Sequence, residues 1–335
     1  MATRYAVATG NWSSLATWDG GVSLPGSGDT VVANGFTVTI DQTITVTEIR
    51  TLTSGGGASG GGFTASSGVT INANVLAGTT TCLTISAATV TINGNVTGSA
   101  ATSSAYGCTI SGNSTVTITG TLVSGSASNA YAINHTGSGT LSVTGSITAG
   151  STAGVLSITS TATVTLNGNI AVGNVNPTAI VLSGGGTLNV VGNITASSSA
   201  SGGNTCTAIS VSSTGTLNIT GNITPSAANG GNGARTVSIS GAATVSITGD
   251  INPASAANGG SSTAVYISGA ATVTITGNVY GPVGSGSGVE AGNASAIVYL
   301  NGDAIPSAAG VAVLVSANGA RVVVNGNIHS LLNLS

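Results

Sequence analysis

A glycine recurs about every 25 residues through most of this 335-residue chain, nearly always at the same place in a short alternating pattern. Gly277 shows the unit. Val273 and Ile275 precede it, Val279 follows it two residues later, and Val265 and Ile267 lie upstream. Small polar residues or glycines fill the gaps. Apolar residues at every second position describe short strands with one buried face. The equivalent glycines are Gly94, Gly120, Gly145, Gly168, Gly192, Gly221, Gly249, Gly302 and Gly326, with Ala73 in their place at the start. Successive spacings from Ala73 are 21, 26, 25, 23, 24, 29, 28, 28, 25 and 24 residues.

Self-similarity at this period means a repeat architecture, because one unit cannot bury its apolar face alone. With strands as the unit, the expected fold is all-β: a parallel β-helix of about eleven three-strand coils, each about 25 residues long. Glycine at the anchor permits positive φ at a tight corner, and the asparagine that often follows can hydrogen-bond backbone there. Stacking predicts a ladder of Asn95, Asn169, Asn193, Asn222, Asn278 and Asn327. Pro225, Pro253 and Pro306 each fall four residues after an anchor, and Pro282 five after. Lacking an N–H, they are expected to end the third strand. The variable-length segments follow at the same corner, so insertions project from one edge, where a solenoid usually meets its partners.

Charge is nearly absent. Four arginines, no lysine and seven acidic residues give a net charge of −3, too little positive field for nucleic acid or an anionic bilayer. The regular Val, Ile and Leu placement is not that of a disordered chain. No apolar run reaches membrane-spanning length, and Met1-Ala2-Thr3-Arg4-Tyr5 lacks the apolar core of a signal peptide, so assembly in a cytoplasm is expected. Three cysteines are too few for a disulfide framework. Cys82 and Cys108 lie about one coil apart, and are read as small buried thiols kept reduced.

Residues 1–55 differ from the rest. They hold both tryptophans, Trp12 and Trp18, and six of the eleven charged residues, Arg4 and Arg50 among them. A terminal coil must cover an open core and hide a strand edge, so an N-terminal β cap module is expected. Tryptophan and arginine also dominate interface hot spots, which makes Trp12, Trp18, Arg4 and Arg50 the candidate docking residues. The predicted division is a cap or docking module at 1–55, parallel β-helix repeats at 56–326, and a C-terminal cap at 327–335. That last stretch has a second reading as an oligomer clasp.

The N-terminal text carries a resemblance over about 45 residues. Asn11-Trp12, Trp18-Asp19-Gly20-Gly21, Pro25-Gly26, Gly28-Asp29 and Gly35-Phe36-Thr37-Val38-Thr39-Ile40-Asp41 resemble the opening of β-helical proteins of tailed bacteriophages and bacterial surfaces. The Gly-, Ser- and Thr-rich coils that follow are similar to phage virion proteins: capsid decorations, head fibres and tail fibres. The resemblance implies a structural component of a virion, assembled in the host cytoplasm, with the capsid decoration or head-fibre role placed first and a tail fibre or receptor-binding adhesin second. It implies as partners the major capsid protein or other virion proteins, and for the adhesin host surface glycans. The aromatic-poor core and small uncharged outer faces favour packing against further copies of the chain, and the resemblance implies a trimer.

Chemistry is sparse along the repeats. Asp250, Glu290 and Asp303 are their acidic residues. Asp250 and Asp303 take the corner position of the asparagines, and are expected to form corners. They stand two coils apart, about 10 Å at one strand spacing per coil, which is close to the spacing of an inverting carboxylate pair. His135 and His329 have no acid or nucleophile near them in sequence and are expected to be solvated. No metal-ligand spacing is seen, and Gly284-Ser285-Gly286-Ser287-Gly288 lacks the lysine and helix of a phosphate loop. No catalytic, cofactor or metal residues are assigned, and no enzyme is expected. Outward Thr-x-Thr pairs, such as Thr117 and Thr119 or Thr274 and Thr276, resemble those of ice-binding proteins. Asn189, Val191, Tyr299, Asn301, Val323 and Asn325 interrupt the rows, and ice binding ranks third among the functions.

Overall fold

The computed structural model describes residues 2–52, 61–127, 129–149, 154–173, 178–198, 207–227, 232–252, 261–282, 285–307 and 310–329. The chain is an all-β parallel solenoid of about eleven coils, with turns about 25 residues apart. Among the described residues the one helical element is a 3-10 turn at Leu15–Thr17. Two compact units divide the chain, one holding residues 1–148 and 152–164 and the other 149–151 and 165–335.

In the first unit one ladder starts with Thr3–Tyr5, Thr30–Val32, Ile44–Arg50 and Val69–Leu76, every neighbouring pair parallel. A second runs through Gly10–Asn11, Thr37–Ile40, Gly62–Ala65, Leu83–Ser86, Cys108–Ser111, Ile133–His135 and Leu156–Ile158. Val38 pairs with Phe63 and Ile49 with Val75, so the strands before residue 55 belong to the same ladders as those after residue 60. The glycine-rich stretch 53–60 lies outside the described residues.

The exception at Ala73 has a structural cause. Val69–Leu76 is one continuous strand, and Ala73 lies within it. Over it stack two separate strands, Thr89–Asn93 against Val69–Ile71 and Val96–Thr97 against Val75–Leu76. The corner between them is at Gly94, so the glycine column begins where the strand first breaks. From there, close approach as well as turning demands glycine. A Cβ on Gly249 would lie 2.3 Å from the Gly221 carbonyl oxygen, and one on Gly277 2.3 Å from that of Gly249. Both have φ near +145°, which other residues rarely adopt.

In the second unit three ladders run side by side. Thr187–Val191, Thr216–Thr220, Thr244–Thr248, Thr272–Thr276, Ile297–Asn301 and Arg321–Val324 form one. Thr178–Leu182, Thr207–Val211, Asn232–Ile239, Ser261–Ile267, Ser285–Ala291 and Val311–Val315 form the next. The third is short: Ile170–Gly173, Ile194–Ser198 and Ile223–Ala227, then single bridges through Ile251 to Val279–Tyr280. The last of these pairs with Ala304–Ile305.

Register places like over like. Leu217, Val245, Val273 and Val298 form one column, Ile219, Ile247, Ile275 and Leu300 the next, and all are buried. Each rung therefore completes the apolar surface of the one before it, and most of its backbone bonds go to its neighbours.

Two expectations need correction. Pro225 does not end its strand: it pairs with Ala196 inside Ile223–Ala227. Ile223 directs both its N–H and its carbonyl to the following coil. By period two, position 225 faces the same way, so the missing donor costs at most one bond on that side. Pro253 lies outside the described residues. His135 is fully buried, not solvated, because it takes the inward position between Ile110 and Ile158. His329 is solvated as expected, its side chain 54 % exposed, and its Nε2 stands 3.3 Å from Asp303 Oδ2 on the neighbouring rung.

Cys82 and Cys108 are free and buried, which pushes both thiols up from their ordinary pKa. Cys108 pairs with Leu83 and not with Cys82, one residue out of register for a bridge. Cys206 is outside the described residues.

Candidate functional site

Of the residues expected to dock a partner, Trp12, Trp18 and Arg4 build the N-terminal end instead. Trp12 and Trp18 are each 1 % exposed. Their rings meet edge to face with centroids 4.8 Å apart, and Trp18 Nε1 donates to the Trp12 carbonyl at 2.9 Å. Phe63, on the ladder beneath, lies 6.2 Å from Trp12. Aromatic rings bury large area with few rotatable bonds, which suits a plug over a core of small aliphatics. Burial removes both tryptophans from any docking surface, and that part of the expectation is corrected.

Arg4 is committed to the same closure. Its Nε donates to Asp19 Oδ1 at 2.9 Å, and Nη2 donates to the carbonyls of Asp19 and Ser23 at 3.0 and 2.8 Å. Residues 17–19 then run back antiparallel along the first strand: Val7 N–H donates to the Thr17 carbonyl and Asp19 N–H to that of Tyr5. At its Tyr5 end the outer edge of Thr3–Tyr5 is thus covered by its own chain.

Asp41 accepts the Ser13 N–H at 3.0 Å and the Ser13 hydroxyl at 2.5 Å, and Asp29 accepts the N–H groups of Gly26 and Ala2. For Asp29 the Gly26 bond is the main reason that its carboxyl sits below the usual range. Burial works against ionisation of Asp41, but the two Ser13 bonds outweigh it and the net shift is downward. Arg50 stands 3.6 Å from Glu48, too little to offset burial, which raises the Glu48 carboxyl. What the N-terminal end exposes is Tyr5, Val7, Leu15 and Val22, apolar residues too scattered in sequence to single out.

The corners carry the expected ladder. Each side-chain oxygen accepts the N–H of the corresponding residue on the next coil. Asn222 takes Asp250 at 2.9 Å, Asp250 takes Asn278 at 2.8 Å, Asn278 takes Asp303 at 3.0 Å and Asp303 takes Asn327 at 2.8 Å. Asp250 and Asp303 therefore do the asparagine's work. The Asn327 bond, then His329, holds the Asp303 carboxyl below its usual range.

Two surface features stand out. Outward threonines on one ladder stack in register, Thr216 on Thr244 on Thr272, while Asn189, Asn218, Ser246, Thr274, Tyr299 and Val323 share the next row. On another face Ser238, Tyr266 and Glu290 are cross-strand neighbours, and the Arg235 guanidinium lies 3.8 Å from the Tyr266 ring centroid. A planar cation resting on an aromatic face is held in place with its N–H fork available. Register alone brings these residues together, across 55 positions of sequence.

Fold and surface together define a parallel β-solenoid with small outward residues and self-supporting corners. No family model matches this chain, and neither a curated protein nor a solved structure matches it.

Proposed function

We propose that this chain is a structural component of a tailed-phage particle, a capsid decoration or head-fibre protein. The observation that carries the structural reading is the like-over-like stacking of side chains within each unit. Side chains at the corners are spent on holding coils together, and the outward rows are largely Ser, Thr and Asn, interrupted by Tyr299 and Val323. The phage assignment rests on the resemblance of residues 11–41 and of the Gly/Ser/Thr coils to virion β-helices. Gold-labelled antibody or cryo-microscopy of purified particles tests it: density or label on the capsid is expected, and label confined to tails rejects the decoration role.

A second reading, a receptor-binding fibre or adhesin, is favoured by the row of Arg235, Tyr266 and Glu290. It offers donors, a phenol and an acceptor side by side on an otherwise bland surface, a set suited to sugar hydroxyls. Purified protein should then bind host cells, and Arg235→Ala or trimming of 226–234 and 254–262 should abolish it. Binding that survives all these changes removes this row and its loops from consideration.

A further inference from the structure

The chain has seven acidic side chains, and every one stands among the described residues. Each is already engaged. Asp19 and Glu48 face Arg4 and Arg50, at 2.9 and 3.6 Å. Asp29, Asp41, Asp250 and Asp303 accept backbone N–H groups. Glu290 Oε1 accepts the Ser316 hydroxyl at 3.2 Å, on the coil away from Tyr266. Of the four arginines, Arg235 and Arg321 are left without an ion pair among the described residues.

The two differ in how they are held. Arg321 is exposed at the start of its strand. Arg235 is half-buried, with its guanidinium 3.8 Å from the Tyr266 ring centroid. Resting on the ring face, it has lost side-chain freedom before any ligand arrives. Its position follows from a slip in the alternation. Thr236 and Val237 are both fully buried, as are Ala264 and Val265 on the next coil. Arg235, two residues before inward Val237, therefore comes out on the face of Ser238 and Tyr266 instead of entering the core.

We infer that Arg235 holds the oxyanion of an acidic sugar, with the sugar's hydroxyls turned toward Ser238 and Glu290. This rests on the adhesin reading above and names its ligand. A guanidinium fork matches a carboxylate or a sulfate with two parallel N–H···O bonds. The neighbours define the rest of the ligand. Ser210, Ser238, Tyr266 and Glu290 follow one another on successive coils of one row. Tyr266 and Glu290 are one strand spacing apart, about 5 Å, so a single sugar ring spans them. An ionised glutamate only accepts hydrogen bonds, so it takes hydroxyl donors and repels a second anion. The row thus has a cationic and an anionic end and admits its ligand one way round. A neutral sugar leaves the charge of Arg235 without a counter-ion. A run of phosphates would set one of them against Glu290, on a chain of net charge −3.

The test is titration calorimetry of the full chain with three probes: a uronic acid oligosaccharide, the same oligosaccharide with its carboxyls reduced to alcohols, and a sulfated counterpart. Binding of the uronate or the sulfated sugar is expected, weakening as salt is raised, with the reduced sugar weaker by about tenfold or more. Whichever acidic probe binds tighter identifies the oxyanion. Arg235→Lys keeps the charge but not the fork and should weaken binding by about tenfold. Tyr266→Leu removes the support and should weaken it about two- to fivefold. Arg321→Ala, which deletes the same charge elsewhere, should leave binding unchanged. Circular dichroism and Tm of the variants should match those of the parent chain, and the comparison of probes needs no variant at all. Equal binding of the reduced sugar, or binding indifferent to Arg235→Lys, overturns the inference and leaves an adhesin that reads neutral glycans. Arg235-dependent adhesion to host cells without affinity for either acidic probe overturns it as well, and moves the receptor to another chemical class. If neither the sugars nor the cells are bound, the inference and the adhesin reading fall together.

Discussion

The two termini of the solenoid solve the same problem in opposite ways. Any terminal rung leaves one edge of its strands and one side of its core without a neighbour. At the start of the chain Trp12, Trp18 and Phe63 fill the core, residues 17–19 return along the first strand, and Arg4, Asp29 and Asp41 pin the loops. At the other end the described residues stop on a rung of the same pattern as the interior, with valines where a plug would be. A repeat is cheap to extend, because each rung needs the same few aliphatics. Closing it takes residue types that the repeat uses sparingly, and residues 1–55 hold both tryptophans and six of the eleven charged residues.

This contrast can be broken by substitution. The largest effect is expected in neither terminus but in an interior rung: Gly249→Val forces a side chain against the Gly221 carbonyl and should cost more than about 4 kcal/mol, read by denaturant unfolding. A small loss would mean that neighbouring coils slide apart easily, and that stacking is looser than the register implies. Next comes Trp18→Ala, expected to cost about 3–5 kcal/mol. Ile328→Ala, measured at concentrations where the chain is monomeric, should change stability by less than about 0.5 kcal/mol. Equal costs at the two positions would contradict the closed and open description.

A third prediction concerns acid. Burial lowers the pKa of His135 below its ordinary 6.5, so the folded chain binds that proton less readily than the unfolded chain does. Stability is therefore full at pH above about 6.5 and falls as the pH drops below it, until the folded-state pKa is reached. His135→Leu should remove this slope while the carboxylate-driven loss at lower pH persists. A small effect is expected at a corner: Asn222→Ala withdraws one acceptor from the Asp250 N–H, at a cost of about 0.5–1 kcal/mol. A larger penalty would make the corner ladder a main support of the stack.

Much of this was legible in the residues. The spacing of glycines and the alternation around them predict the coils, and columns such as Val245, Val273 and Val298 follow from aligning the anchors. Asp250 and Asp303 were readable as corner formers because each stands where an asparagine stands elsewhere. Three things were not. His135 was misread because a lone histidine carries no sign of the face it occupies, although alignment with Ile110 gives its inward position. Trp12 and Trp18 have the composition of a hot spot and the location of a plug, and composition cannot tell the two apart. The row of Arg235, Tyr266 and Glu290 depends on register between coils of unequal length.

Period and anchor residue, both local properties of the chain, were enough to dictate strands, corners and stacking, because one rung's buried face is the next rung's requirement. Which surfaces are finished and which are left open was decided only in three dimensions. Burial of a side chain and pairing of an edge depend on what lies one coil away, and at the ends of a repeat that neighbour is the thing the pattern does not specify.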